Sequence, residues 1–193
     1  MSETLILLCI VFQHITNIIA HLSVFYYYDS LVIALERKLS DHDRRNKSTN
    51  ITGGKLMSGI DEVASISAMR HCRTNVVTAS TDSVDFLRPI RPTDSVCFES
   101  FVSWTGRTSI EVFVKIISEN LYTGERAVAA TSFLTFVAVE EDGTPTPVPA
   151  IIPETDEEKL INESANERSE LRKVRRNISK KLAAQLNTIK YWE

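Results

Sequence analysis

Gly53, Gly54 and Asp61 are the residues of this 193-residue chain whose types and spacing could do chemistry together. They lie in "NITGGKLMSGIDEV", residues 50 to 63, where two glycines open a stretch with helical apolar spacing. Glycine has no Cβ, so another group can come close to the backbone there. The first N–H groups of a helix lack intrahelical partners, and the helix dipole makes that end electropositive. A helix starting at these glycines therefore offers donors to an oxyanion or a polarised carbonyl oxygen. Asp61 follows Gly54 by seven residues, two turns, and shares its face. A carboxylate on that face could serve as general base or nucleophile at the same carbonyl. The same residues also read as a glycine turn followed by an Asp61–Glu62 pair on an ordinary helix surface. Both readings stand at this point.

Other chemistries find less support. His14, His21, His42 and His71 form no HExxH or paired-histidine pattern, so no built-in zinc site is expected. Cys9, Cys72 and Cys97 are odd in number and lack metal-ligand or CxxC spacing, which reads as reduced thiols in a cytosolic protein. A formal net charge of −3 argues against a nucleic-acid-coating role, though it allows a local basic patch.

The elements that would position these residues can be traced along the chain. "LVIAL" suggests a first strand and "SDHDRRNKSTN" a polar loop. Gly54 to about Arg70 reads as a helix, because Leu56, Met57, Ile60, Val63, Ala64, Ser67 and Ala68 recur at three- and four-residue steps. "NVVTASTDSVDFL" and "SVCFESFVSWTG" then look like strands, joined by "RPIRPTD". "TSIEVFVKIISENL", a turn at Thr123–Gly124, and "ERAVAATSFLTFVAV" continue the series. One helix followed by several antiparallel-type strands predicts an α+β fold, a sheet with one face laid on a single buried helix. "EDGTPTPVPAIIP" is too proline-rich to extend that sheet.

Two appendages flank the expected domain at residues 30–150. In residues 1–29, "TLILLCIVFQHITNIIAHLSVFYYY" is about long enough to span a bilayer, yet Gln13, His14, Asn17 and His21 interrupt it. Three readings compete: a marginal membrane anchor, an apolar helix packed on the domain or on a partner, and an extension irrelevant to the fold. A cytoplasmic location is expected, with membrane contact through residues 1–28 open. The tail, residues 151–193, is acidic early (Glu154, Asp156, Glu157, Glu158) and basic later (Arg172, Lys173, Arg175, Arg176, Lys180, Lys181). That order complements a helix dipole and predicts a solvated helix. The alternative is that the basic side chains reach a phosphate-bearing ligand.

Taken together, "GGKLMSGIDEVASISAMRHC", the run from "VVTASTDSVDFL" through "VSWTGRTSIEVFV" to "VAVEEDG", and "PTPVPAIIPETDEEK" resemble the hotdog-fold acyl-CoA thioesterases of the cytosolic acyl-CoA hydrolase type. The resemblance covers roughly residues 46 to 165. It implies a hotdog fold, an antiparallel sheet wrapped around one long central helix. It further implies homodimers joined edge to edge, often as trimers of dimers, and hydrolysis of an acyl-CoA thioester to a free acid and CoA. No metal and no cofactor are implied, and acyl-CoA is the expected small-molecule partner.

By this resemblance Asp61 matches the family's catalytic aspartate, and Gly54 the residue whose backbone N–H polarises the thioester carbonyl. Asn46, seven positions before Gly53, matches an asparagine that the opposite subunit is expected to contribute, and Asn50 matches a second one. Thr49 and Thr52 depart from the family's common glycine and its histidine or phenylalanine. Gly53, Asn50, Gly106, Arg107 and Thr108 are the implied substrate-binding residues, with "TGRTS" at 105–109 facing coenzyme A and Arg107 the preferred phosphate contact. Arg107 reads otherwise as an exposed turn residue, Arg88 and Arg91 as phosphate contacts or loop residues, and Trp104 as a packing residue rather than a stacking platform. Two alternatives remain: a hotdog dehydratase, which would want a histidine absent between His42 and His71, and a non-catalytic acyl-CoA-binding or sensing module.

Overall fold

The computed structural model describes residues 33–38, 53–91 and 93–188. Five strands form one sheet: β1 (Ile33–Lys38), β2 (Asn75–Phe86), β3 (Asp94–Thr105), β4 (Ser109–Asn120) and β5 (Arg126–Val139). Their order is β1-β3-β4-β5-β2, and every neighbouring pair is antiparallel. The long helix α1 (Gly53–Cys72) lies against one face, and α2 (Asp156–Glu163) and α3 (Ala165–Ala183) follow the sheet. This is the α+β arrangement read from the sequence, with the helix two residues longer at its carboxyl end.

The inner face explains the helix. Leu56, Ile60, Val63, Ala64 and Ala68 form a buried stripe at three- and four-residue steps, packed on Val96, Val112, Val114, Ile116, Leu134 and Phe136. Gly59 sits on this stripe because Phe98 needs the space: a Cβ there would lie 2.7 Å from the Phe98 ring. Polar atoms inside the core are satisfied. Ser67 and Ser100 hydroxyls lie 2.7 Å apart, and Ser100 also reaches the Val63 carbonyl oxygen at 3.1 Å.

The outer face carries the tail. Phe101, Phe113 and Phe133 stack in series, with ring centroids 5.4 and 5.1 Å apart. Beside them on β4 sits Glu111, fully buried. Arg168 and Arg172 of α3 reach it at 2.7 and 2.9 Å, Ser103 donates to it at 2.7 Å, and the Arg168 guanidinium lies 4.1 Å over Phe133. Nearer the start of the tail, Lys115 pairs with Glu157 and Glu99, and Thr155 with Glu158 forms a capping box for α2. The tail is thus not the single solvated helix expected. It breaks at Ser164 and anchors its first half on the sheet, because a buried carboxylate demands compensating charge. Beyond Arg172 its residues are exposed.

The first strand also differs from its reading: it runs on through Glu36, Arg37 and Lys38, past the apolar run at residues 31–35. Residues 1–29 lie outside the described residues. Among the described residues no helix is long and apolar enough to cross a membrane.

Candidate active site

Among the described residues nothing closes the amino end of α1. A Cβ on Gly54 would meet nothing within 4 Å, whereas one on Gly53 would come within 3.3 Å of the Phe86 ring. Gly53 thus lets the end of β2 lie against the first turn, and Gly54 leaves its surroundings clear. Two turns on, Asp61 projects from the exposed side of α1, opposite the buried stripe. The Thr78 hydroxyl donates to Asp61 Oδ1 at 3.0 Å. Among the described residues the other carboxylate oxygen has no hydrogen-bond partner, so it is available to a proton or an electrophile.

The conformation of β2 governs what surrounds Asp61. In a regular strand Thr78 and Ser80 would face the same side. A register shift between them against β5 reverses the alternation. Thr78 therefore turns to α1, while the Ser80 hydroxyl donates to Asp82 at 2.7 Å on the side of α3. A second shift between Thr81 and Ser83 lets Asp82 meet Arg172 at 2.5 Å and Arg175 as well. Burial opposes ionisation of Asp82. The hydrogen bonds from Ser80 and Arg172, the charge of Arg172 and the contact with Arg175 outweigh it and hold its carboxyl below the usual 3.8.

Across β2 from Asp61 lies a cleft of about 520 Å³. Ser80 and Thr135 line its sheet side, Trp104, Gly106, Arg107 and Thr108 its turn side, and Arg172, Lys173, Arg175 and Arg176 its α3 side. A Cβ on Gly106 would sit 2.7 Å from Ser109 Oγ and 2.9 Å from the Trp104 ring, so the glycine lets both pack on the turn. A smaller groove of about 350 Å³ at the start of α1 is lined by Gly53, Leu56, Phe86, Leu87, Arg88 and Ile90.

The residues singled out in the sequence therefore fall into two groups. Gly53, Gly54 and Asp61 share α1; Gly106, Arg107 and Thr108 share the β3–β4 turn, on the other side of β2. Asn46 and Asn50 lie outside the described residues. Arg88 is exposed beside the α1 start, and Arg91 donates its backbone N–H to Asp94 at 2.9 Å; neither lines the larger cleft. Trp104, half-buried, packs on the turn and on Arg172, 5.9 Å from its ring. Sequence reasoning missed Thr78, which no local pattern marks, and the Glu111–Asp82 network. A lone acid at Glu111 in an otherwise apolar alternation was the available signal. Among the described residues no group of three or more His, Cys, Asp or Glu side chains is placed to hold a metal ion.

Known proteins place this geometry in context. A family model described as the thioesterase superfamily matches residues 49–125. An uncharacterized acyl-CoA thioester hydrolase of Bacillus subtilis is 57% identical over 147 residues, which is 76% of this chain and 86% of that protein. The acyl-CoA hydrolase of Staphylococcus aureus, solved with butyryl coenzyme A and coenzyme A, is 42% identical with a TM-score of 0.75, covering 79% of this chain and 93% of that one. Variants of it replacing an asparagine, an aspartate or a threonine by alanine have also been solved, and these three positions are spaced by 15 and 17 residues. Asn46, Asp61 and Thr78 have the same residue types at the same two spacings. A hexameric acyl-CoA thioesterase is 47% identical with a TM-score of 0.70, covering 75% of this chain and 92% of that one.

Proposed function

This chain belongs to the thioesterase superfamily, and on that premise we propose that it hydrolyses acyl-CoA thioesters to a free carboxylic acid and coenzyme A. The observation that carries the reading is Asp61, held by Thr78 on the exposed side of α1 that also bears the open amide end at Gly54.

The first N–H groups of α1, Gly54 among them, point out of its amino end, where a thioester carbonyl accepts from Gly54 while an Asp61 carboxylate of the assembled site faces its carbon. In the proposed reaction Asp61 takes a proton from a water, the water oxygen bonds to the carbonyl carbon, and negative charge collects on the oxygen beside Gly54. Collapse of that intermediate breaks the C–S bond, and coenzyme A leaves as its thiolate and takes up the proton. A thiolate leaves readily, its acid having a pKa near 8.5 as in cysteine. Thr78 fixes the carboxylate in one orientation. Asn46 and Asn50 enter by position, Asn46 orienting the water or the thioester from a second copy.

The exposed sheet edge beside the site supports a homodimer. β2 is an edge strand, and Val77 and Met57, beside Thr78 and Asp61, are 50% and 48% exposed. Two copies joined through their β2 edges cover this surface. Three such dimers give the hexamer found for the relative of that state. Gly53, Gly106, Arg107 and Thr108 are assigned to coenzyme A by position in this scheme.

The test is thiol release from butyryl-CoA and palmitoyl-CoA, followed colorimetrically with wild type and Asp61→Ala. Release that the substitution abolishes supports hydrolysis. Tight acyl-CoA binding without release would replace it with the sensing module.

A further inference from the structure

The cations of α3 divide into two sets. Arg168 is taken up by Glu111, and Arg172 is shared by Glu111 and Asp82, while Arg175 meets Asp82 through both its carbonyl and its carboxylate. Arg176 has no hydrogen-bond or ion-pair partner among the described residues, and the Arg107 side chain across the cleft has none either. Lys173 meets only Glu170 of its own helix, both side chains being 66% and 72% exposed, a pair easily given up. Three cations thus converge on one cleft, two without a described acid partner and the third held only by that exposed pair. The hydroxyls of Ser80, Thr108 and Ser179 and the Trp104 indole complete a lining suited to a phosphorylated ligand with an apolar part.

We propose that α3 is part of the substrate site: Lys173 and Arg176, together with Arg107, hold the phosphate groups at the nucleotide end of the acyl-CoA. This rests on the acyl-CoA reading for the identity of the ligand. Thr78 and Ser80 are two positions apart on β2, one bonded to the carboxylate and the other lining the cleft, which sets the cleft within the length of one extended acyl-CoA from Asp61. The Glu111 and Asp82 network has a purpose in this arrangement. It uses three arginines to fix the helix and leaves the next turn's cations to the ligand. A tail that only covered the sheet would need the first set and not the second.

The experiment compares wild type with Lys173→Ala/Arg176→Ala on S-butyryl-CoA, its 3′-dephospho form and S-butyryl-pantetheine, which has no phosphate. Calorimetric binding of coenzyme A itself runs alongside. Both replaced side chains lie on the exposed part of α3, and an unchanged melting temperature checks the fold. The expected result is a rise in KM for butyryl-CoA of about tenfold to a hundredfold with kcat kept, and no difference between the proteins on the pantetheine thioester. The dephospho substrate tells the 3′-phosphate from the diphosphate: a variant effect that shrinks on it assigns the 3′-phosphate, and one that persists assigns the diphosphate. Equal KM values for butyryl-CoA in the two proteins overturn the proposal, as does an equal loss on all three substrates. Were neither protein to release thiol, the hydrolase reading would fail by itself. The α3 proposal would then be decided by the calorimetry, supported by weaker coenzyme A binding to the variant and overturned by equal binding.

Discussion

Glu111 offers the sharpest prediction about what holds the tail to the sheet. It is fully buried and accepts from Ser103, Arg168 and Arg172. Removing one partner from a buried pair typically costs about 3–5 kcal/mol, because the remaining charge is uncompensated. Here the cost falls at the lower end. Arg172 keeps Asp82 at 2.5 Å, and Arg168 keeps the Ser164 hydroxyl at 2.6 Å, the Ile161 carbonyl oxygen at 2.9 Å and the Phe133 face. Glu111→Ala is therefore expected to destabilise by about 3 kcal/mol, which for a chain of this size lowers Tm by about 6–12 °C. The assay is thermal denaturation at one fixed protein concentration, since an oligomer's stability depends on it. Limited proteolysis should show earlier cleavage after residue 164. Replacing Glu111, Arg168 and Arg172 together by leucine or methionine should recover most of the loss. A Tm drop under about 2 °C for Glu111→Ala would refute the reasoning, because it would mean the network is not holding α3.

Three further outcomes follow from particular contacts. Thr78→Val removes the one described hydrogen bond to Asp61; at an exposed site this is expected to lower kcat about fivefold with KM little changed, measured by steady-state thiol release. Asp82, with its folded pKa depressed, contributes stability that is present above its unfolded value near 3.8 and lost as pH falls through the lower folded value. Proteolysis of the tail should accelerate below about pH 4 in wild type, and Asp82→Asn should show accelerated cleavage already at neutral pH. Gly59→Ala places a methyl 2.7 Å from the Phe98 ring and should cost about 1–3 kcal/mol in urea denaturation despite the better helix propensity of alanine.

Much of this arrangement is legible in the sequence, for reasons that differ by element. The α1 stripe from Leu56 to Ala68 could be read because a helix packed on one face must repeat its apolar residues every three or four positions. β3, β4 and β5 could be read because each has β-branched and aromatic residues bounded by Gly, Pro or polar turns. β1 is legible only in its apolar half, since Glu36, Arg37 and Lys38 have no apolar pattern to mark them. What could not be read is side-chain direction on β2. Two bulges decide that Thr78 meets Asp61 while Ser80 and Asp82 meet α3, and a bulge depends on pairing with β5, not on local residue types. The division of the tail has the same origin. Arg168 and Arg176 look alike in the sequence, and only the buried Glu111, more than fifty positions earlier, separates anchoring arginine from cleft arginine. The glycines and Asp61 are legible as a candidate site; the cleft across β2 needed the fold.

A structure of Asp61→Asn with butyryl-CoA bound would measure the heart of this account. The thioester oxygen should lie about 3 Å from the backbone nitrogen of Gly54, with the carbonyl carbon facing the side chain at position 61 directly or through one water. A thioester seated elsewhere, or a carbonyl turned away from that nitrogen while residue 61 remains on the opposite side of the ligand, would contradict it.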